Sequence, residues 1–389
     1  MNKVKVAIGI FVALSLATGV LVGKYLLSGD GNNNSNKLTP AVNKTEQTQQ
    51  ISDDRQTAIT RAIAKVSNAI VGINVEEERE VQNPFFNDPF FRQFFGDQGS
   101  QKQVVKGLGS GYIISADGYI LTNDHVAGHA TKISVTLTSG ETVQARLIGS
   151  DPISDVALLK IDKSNLTFIN LGNSDNIIIG EWVIALGNPF GLFEINDQPT
   201  VTVGVVSAKN MKVSAGDGQR IYRDMIQTDA SINSGNSGGP LIDTDGNVIG
   251  MNTIIYTGSQ FSQGSIGVGF AISINRVRGI LEQLKANGKI DRNFNVGFRI
   301  QGIDERVANY YGLKSKNGVI VTQVLRGSLS DNAGLKTEDI IVEVNGEKIM
   351  NEQDLIFSIN DLQVGDTVKM KIIRSGDEEE IEMKLTSSN

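Results

Sequence analysis

Apolar positions along the chain change their rhythm several times. Val6 to Gly23 is uncharged and mostly apolar on every face, and Tyr25, Leu26 and Leu27 extend it past Lys24. Ser28 to Gln50 is polar, with few apolar residues. From Ile51 the spacing turns helical: Ile59, Ile63, Val66 and Ile70 recur at three- and four-residue steps, with a start signal near Ser52-Asp53. After Val71 come short β-type runs such as GSGYIIS, GYILTND, VALLKI, EWVIALG and VIGMNTIIY, separated by Asp-Gly and Ser-Gly turns. A helix over Asn275 to Ala286 ends at Asn287-Gly288, and a second small β-rich unit begins near Asp291. Many short strands with tight turns predict an all-β barrel or sandwich, not βαβ units.

The first run is 18 residues long from Val6 to Gly23. At about 1.5 Å per residue, with its extension to Leu27, it is long enough to cross a bilayer core. Lys3 and Lys5 place the N-terminus on the cytoplasmic side and everything after the span outside. The alternative is a cleaved signal peptide, because Ser15-Leu16-Ala17 and Ala17-Thr18-Gly19 resemble small-residue cleavage sites; the protein would then be soluble in the periplasm. The layout that follows is a cytoplasmic stub and transmembrane anchor over 1–27 and a flexible linker over 28–50. A catalytic unit over 51–288 and a C-terminal unit over 289–389 complete it.

Composition narrows the chemistry. A formal net charge of −7 over 389 residues argues against a nucleic-acid partner, which needs a basic face. The absence of cysteine removes thiolate catalysis and cysteine metal sites, and two histidines leave little for a metal centre. No cofactor or metal is expected. Asn83 to Phe95 (NPFFNDPFFRQFF) carries six phenylalanines, and its Asn-Pro and Asp-Pro steps interrupt helix and strand. Folding back on its own domain would leave part of this cluster uncovered, which points to a contact with another chain.

The segment SINSGNSGGPLI, Ser231 to Ile242, crowds small residues ahead of a strand. Such a run allows the sharp bend that aims two backbone N–H groups into one space beside Ser237. A base and an acid must come from elsewhere. Only His125 and His129 offer an imidazole; His125 ends a strand in TNDHVAG, whereas His129 reads as an exposed loop residue. Asp155 opens the apolar strand of SDVALLKI, where its carboxylate is partly buried. The chain order His125, Asp155, Ser237 is that of chymotrypsin-type proteases.

Together GLGSGYIISADGYILTNDHV, SDVALLKI, ALGNPFGL, QTDASINSGNSGGPLID, GNVIGMNT and IGVGFAI resemble the HtrA (Deg or Do-like) family of serine proteases. DPFFRQFFGD is similar to that family's long N-terminal protease loop. The resemblance covers roughly Ile51 to Leu385. It implies a chymotrypsin-like double β-barrel followed by a PDZ domain, working as a trimer or a multiple of one. It makes His125 the general base, Asp155 its orienting acid and Ser237 the nucleophile. Gly235 and Ser237 then supply the oxyanion amides. Ile232 and Ile266 line a small S1 pocket suited to aliphatic residues. NVGFRIQGI resembles the start of a PDZ domain, with Asn295, Val296, Gly297 and Phe298 as the carboxylate-binding loop for hydrophobic C-terminal peptides. Glu338-Asp339 stands where that family usually has Gly-Asp, which bears on the turn geometry there. Glu378-Glu379-Glu380 reads as a solvated strand turn. The long polar stretch Ala208 to Tyr222 reads as a loop able to relay peptide binding to the oxyanion backbone. The expected activity is extracytoplasmic endoproteolysis of misfolded, regulatory or membrane-associated proteins. The alternative is a chaperone-like holdase with minor proteolysis.

Overall fold

A computed structural model describes residues 55–82, 100–188, 191, 193, 197–214, 220–233, 235–255, 267–313 and 315–388. The Val6 to Leu27 run, the 28–50 linker, the Asn83 to Phe95 cluster and Ile266 lie outside them. Among the described residues no helix is long and apolar enough to cross a membrane.

Among the described residues the first helix, α1 (Ala58–Val66), starts later than its periodicity predicts. Thr57 caps it, its side chain accepting from Thr60 N, and a single 3-10 turn over Ser67–Ala69 ends it. Ile70 therefore begins a strand and is not the last helical position.

Six strands close a first barrel in the order β1-β2-β3-β6-β5-β4. They are β1 (Ile70–Gln82), β2 (Ser100–Ile113), β3 (Tyr119–Thr122), β4 (Lys132–Leu137), β5 (Thr142–Asp151) and β6 (Val156–Ile161). Alternate residues such as Val71, Ile73, Ile133, Val135, Leu159 and Ile161 fill its interior, as a period of two requires. A short helix, α2 (Asp124–Ala127), follows β3 and carries His125. A second closed barrel runs β10-β11-β12-β9-β8-β7. It is built from β7 (Trp182–Gly187), β8 (Thr200–Ser214), β9 (Ile221–Thr228), β10 (Pro240–Ile242), β11 (Val248–Ile255) and β12 (Gly269–Ser273). Closure leaves neither barrel with an unpaired edge. A shared apolar cluster including Tyr112, Leu121, Leu186, Met251 and Phe270 packs with α1 and with α3 (Ile274–Asn287). Gly288 caps α3 at a positive φ of 72°, within one residue of the sequence expectation.

The Ala208 to Tyr222 stretch is a correction. β8 runs to Ser214 and pairs with β9 as far as Val213↔Tyr222 and Ser214↔Ile221. Repeated register shifts and a positive φ at Asn210 disguise the strand in the sequence. Only 215–219 lie outside the described residues.

The C-terminal sheet is open, in the order β13-β14-β15-β17-β18 with β16 on β15. Its strands are β13 (Phe298–Gly302), β14 (Val319–Val324), β15 (Ile340–Val344), β16 (Glu347–Lys348), β17 (Thr367–Arg374) and β18 (Asp377–Lys384). The helices are α4 (Glu305–Tyr310), α5 (Leu329–Asn332) and α6 (Glu352–Asn360). Ser375-Gly376 makes the last hairpin turn, so Glu378 to Glu380 lie exposed on β18 just beyond it. Glu338 takes the glycine-like φ of 77° that its place in the sequence calls for.

Three arginines tie this unit to α3 and to both barrels. Arg276 of α3 reaches Asp361 at 2.5 Å. Arg223 of β9 contacts Glu347 and Asp361, and Arg292 pairs with Asp151.

Candidate active site

Asp155 sits in the turn between β5 and β6 with φ 59°, a left-handed conformation that a non-glycine residue keeps only when its surroundings hold it. They do: the residue is fully buried, and its side chain receives hydrogen bonds from three neighbours. His125 donates from its backbone N to Oδ1 at 2.9 Å and from Nδ1 to Oδ2 at 2.8 Å. Tyr222 Oη donates to Oδ2 at 3.0 Å and Thr253 Oγ1 to the same oxygen at 2.7 Å. Arg220 adds positive charge at 3.7 Å from Oδ1. Burial pushes the Asp155 carboxyl up, but the His125 contacts and the Thr253 hydroxyl outweigh it and hold it below the ordinary carboxylate value. The acid is thus an anion that fixes the imidazole with Nδ1–H towards it, leaving Nε2 for chemistry.

Ser237 is reached from the second barrel. Its carbonyl accepts from Ser110 N at 2.9 Å, which docks the loop onto β2. Gly238 follows at φ 83°, where a Cβ would come within 2.3 Å of the Ser110 carbonyl. Only glycine fits there. Ser110 Oγ donates to the Gly235 carbonyl at 2.5 Å, and Asn236 N donates to Asn233 O at 3.0 Å. The peptide unit between Gly235 and Asn236 is therefore held at both ends. The amides of Gly235 and Ser237 have no acceptor among the described residues. They are free to stabilise a negative oxygen.

Ser237 and His125 line one cavity of about 410 Å³, with Gly235, Leu108, Val126 and Arg220 on its walls. Within it, the Ser237 hydroxyl donates to the Thr253 carbonyl at 3.1 Å. Among the described residues no hydrogen bond joins it to His125. The structure thus brings His125 and Asp155 together and places the Ser237 hydroxyl in the same cavity, turned to Thr253. His129, read from the sequence as an incidental loop residue, lies on the same cavity wall.

Ile232 is not on that wall. It is fully buried in the core of the second barrel, with Gly269 packed on its side chain. Ser110, Tyr222 and Thr253 join the site without having stood out in the sequence. Thr253 shows there only as the end of GNVIGMNT, and Tyr222 carries no signal of its own.

The Asn295 to Phe298 loop is compact. Asn295 Oδ1 accepts from Gly297 N at 2.9 Å, and Gly297 takes φ 76° where a Cβ would meet Ser328 at 2.2 Å. Ser330 Oγ donates to the Val296 carbonyl at 2.5 Å. β13 leads away from this loop as the outermost strand of its sheet, with one edge unpaired by any strand among the described residues. Among the same residues no cluster of three or more metal-ligating side chains occurs.

Comparison with known proteins is consistent with this arrangement. The trypsin-like peptidase domain family matches residues 109–251 and the PDZ domain family residues 285–385. A probable periplasmic serine endoprotease DegP-like of Chlamydia muridarum is 44% identical over 313 residues, covering 78% of this chain and 60% of the relative. The chain thus spans about three fifths of that relative's length. A protein of the same description from Bartonella henselae is 35% identical over 359 residues, covering 86% of this chain and 69% of its own. Among solved structures, the HtrA-type protease AlgW with decapeptide is 33% identical with a TM-score of 0.65, covering 86% of this chain and 99% of that one. The serine endoprotease from Yersinia pestis is 28% identical, with a TM-score of 0.57 over 86% of this chain and 99% of that one.

Proposed function

The chain belongs to the HtrA family of DegP-like serine proteases, and from that premise we propose that it is an extracytoplasmic serine endopeptidase acting on misfolded, regulatory or membrane-associated proteins. The observation that carries this reading is the hydrogen bond between His125 and the buried Asp155, with His125 on the wall of the cavity that Ser237 also lines. Ser237 leaves the Thr253 carbonyl and gives its proton to His125 Nε2 as Oγ attacks the substrate carbonyl. The amides of Gly235 and Ser237 take the oxyanion. His125 then hands the proton to the departing amine, and water repeats the sequence to release the acyl group.

The other parts of the proposal have narrower support. Relatives described as periplasmic favour the cell envelope, and Val6 to Leu27 would anchor the chain in the cytoplasmic membrane. Self-association as trimers or multiples of them is supported by the exposed apolar turn Ile178, Ile179 and Trp182 and by the phenylalanines of 83–95. A preference for cleavage after small aliphatic residues rests on the apolar character of Ile232 and Ile266 in the sequence. Hydrophobic C-terminal peptides would add to the free edge of β13, with their carboxylate in the Asn295–Phe298 loop. The β8–β9 hairpin would carry their effect to the site, since Tyr222 touches Asp155 while Arg223 beside it holds Glu347 and Asp361.

Purified wild type and Ser237→Ala incubated with unfolded casein test the central claim. Cleavage by the wild type alone is expected. Equal turnover by both overturns the protease reading, and equal protection of casein from aggregation without cleavage favours the holdase.

A further inference from the structure

We propose that Asp124 is a positioning residue of the active-site turn, a second buried acid whose charge state tunes the His125–Asp155 pair. It immediately precedes His125, opens α2, and is only 1% exposed. Neither of its carboxyl oxygens has a hydrogen-bond partner. Its place is tight, because a Cβ at Gly128 would come within 1.9 Å of Oδ1. An ionised carboxylate without donors is costly in such a site, so burial favours the protonated form and makes ionisation harder.

Every element around α2 contributes to this balance. From β5 come Asp151, committed to Arg292, and the Ser150 hydroxyl, which favours the charged form without reaching hydrogen-bond geometry. The turn before β6 presents Asp155; the residue's own turn presents His125 and His129; the β8–β9 hairpin presents Arg220. β1 and β2 offer Val75, Gly107 and Gly109, with Glu77 on the cavity rim. Burial raises the Asp124 carboxyl above its ordinary value and the negative Asp155 adds to this, while Ser150, His129 and Arg220 work in the opposite direction. The contrast with Asp155 is one of donors. Both acids are buried; one receives four hydrogen bonds and stays charged, the other receives none.

Two consequences follow from one proton. A folded-state value raised above the unfolded one gives stability that is complete at low pH and is lost as pH rises through the folded value. Ionisation also sets a second negative charge beside the imidazole that must become an imidazolium during turnover. This half rests on the protease reading; the first does not.

The test compares wild type with Asp124→Asn, which keeps the shape and removes the charge, with Asp124→Ser as a second neutral variant should the amide fold poorly. Melting temperatures are followed from acid to mildly alkaline pH, together with kcat/KM on a chromogenic peptide. The variant is expected to match the wild type in acid and to exceed it progressively as pH rises. Its acid limb of kcat/KM should move to lower pH by about half a unit or more. Parallel melting curves overturn the buried acid, and an unshifted acid limb with divergent melting curves overturns its tuning of the pair. If the casein assay overturns the protease reading, the melting comparison still decides for or against the buried neutral acid.

Discussion

Asp155 concentrates more interactions than any other side chain of the site, and each can be removed singly. Tyr222→Phe deletes one donor to a buried anion and leaves the ring's packing in place. Loss of such a bond is worth about 1.5–3 kcal/mol, so kcat/KM should fall by roughly 10- to 100-fold with KM little changed. An unaltered rate would mean that Thr253 and His125 position the acid unaided. The same anion links stability to pH with the opposite sign to Asp124. Its folded-state value lies below the ordinary 3.8, so its contribution is present at neutral pH and fades as pH falls past that value towards the folded one. In melts at descending pH, Tyr222→Phe should converge on the wild type in strong acid. The candidate residues His125, Asp155 and Ser237 stand out in the sequence because few residue types perform this chemistry and they occur in a known order. Asp124 does not, since nothing about a polar residue beside a histidine shows that it is buried without donors. The burial of Ile232 is not legible for a related reason: an apolar residue near Ser237 reads alike whether it faces a pocket or a core.

At the scale of elements, alternation and turn chemistry reveal most strands and the end of α3 at Gly288. They fail where the backbone leaves its regular path. β8 is hidden by bulges and by Asn210 at φ 56°, so a paired hairpin reads as a loop. The start of α1 is misplaced because Ser52-Asp53 and Thr57 are equally good caps by composition, and only packing selects between them. Glu338 offers a direct check on this kind of local rule. It sits at φ 77° between Lys336-Thr337 and Asp339, and its backbone N donates to Val321 O at 2.8 Å. Glycine removes the left-handed penalty but adds chain entropy in the unfolded state. The balance favours Glu338→Gly by about 0.5–1 kcal/mol, read as a higher urea midpoint at constant m. A lower midpoint would show that the Glu338 side chain contributes more than its backbone strain removes.

For the whole molecule the decisive feature is Asp361, at the C-terminal end of α6 and facing Arg276, Arg223 and Arg292. Arg276 stays charged: its burial works against the charge, and the Asp361 hydrogen bond and neighbouring carboxylates more than restore it. Asp361→Ala leaves these cations facing one another across the seam. We expect a loss of about 1–3 kcal/mol, less than for a fully buried pair because Asp361 keeps some exposure. Calorimetry should separate one melting transition into two. Peptide response is expected to weaken in this variant and to vanish in Gly297→Trp, whose Cβ alone would meet Ser328. A response intact in Asp361→Ala would place the coupling elsewhere than this seam. None of these pairings is visible in the sequence, because partners such as Arg223 and Glu347 lie 124 positions apart and only the fold makes them neighbours.

With Ser237 as the proposed nucleophile, its hydrogen bond to the Thr253 carbonyl would give the molecule a form of latency. An endopeptidase confined with many copies of itself meets their frayed termini before it meets anything foreign. A hydroxyl turned from its base makes each idle copy harmless to its neighbours, as a zymogen is. Unlike the cutting of a propeptide, a side-chain rotation is reversible, so the safeguard can be restored after every encounter.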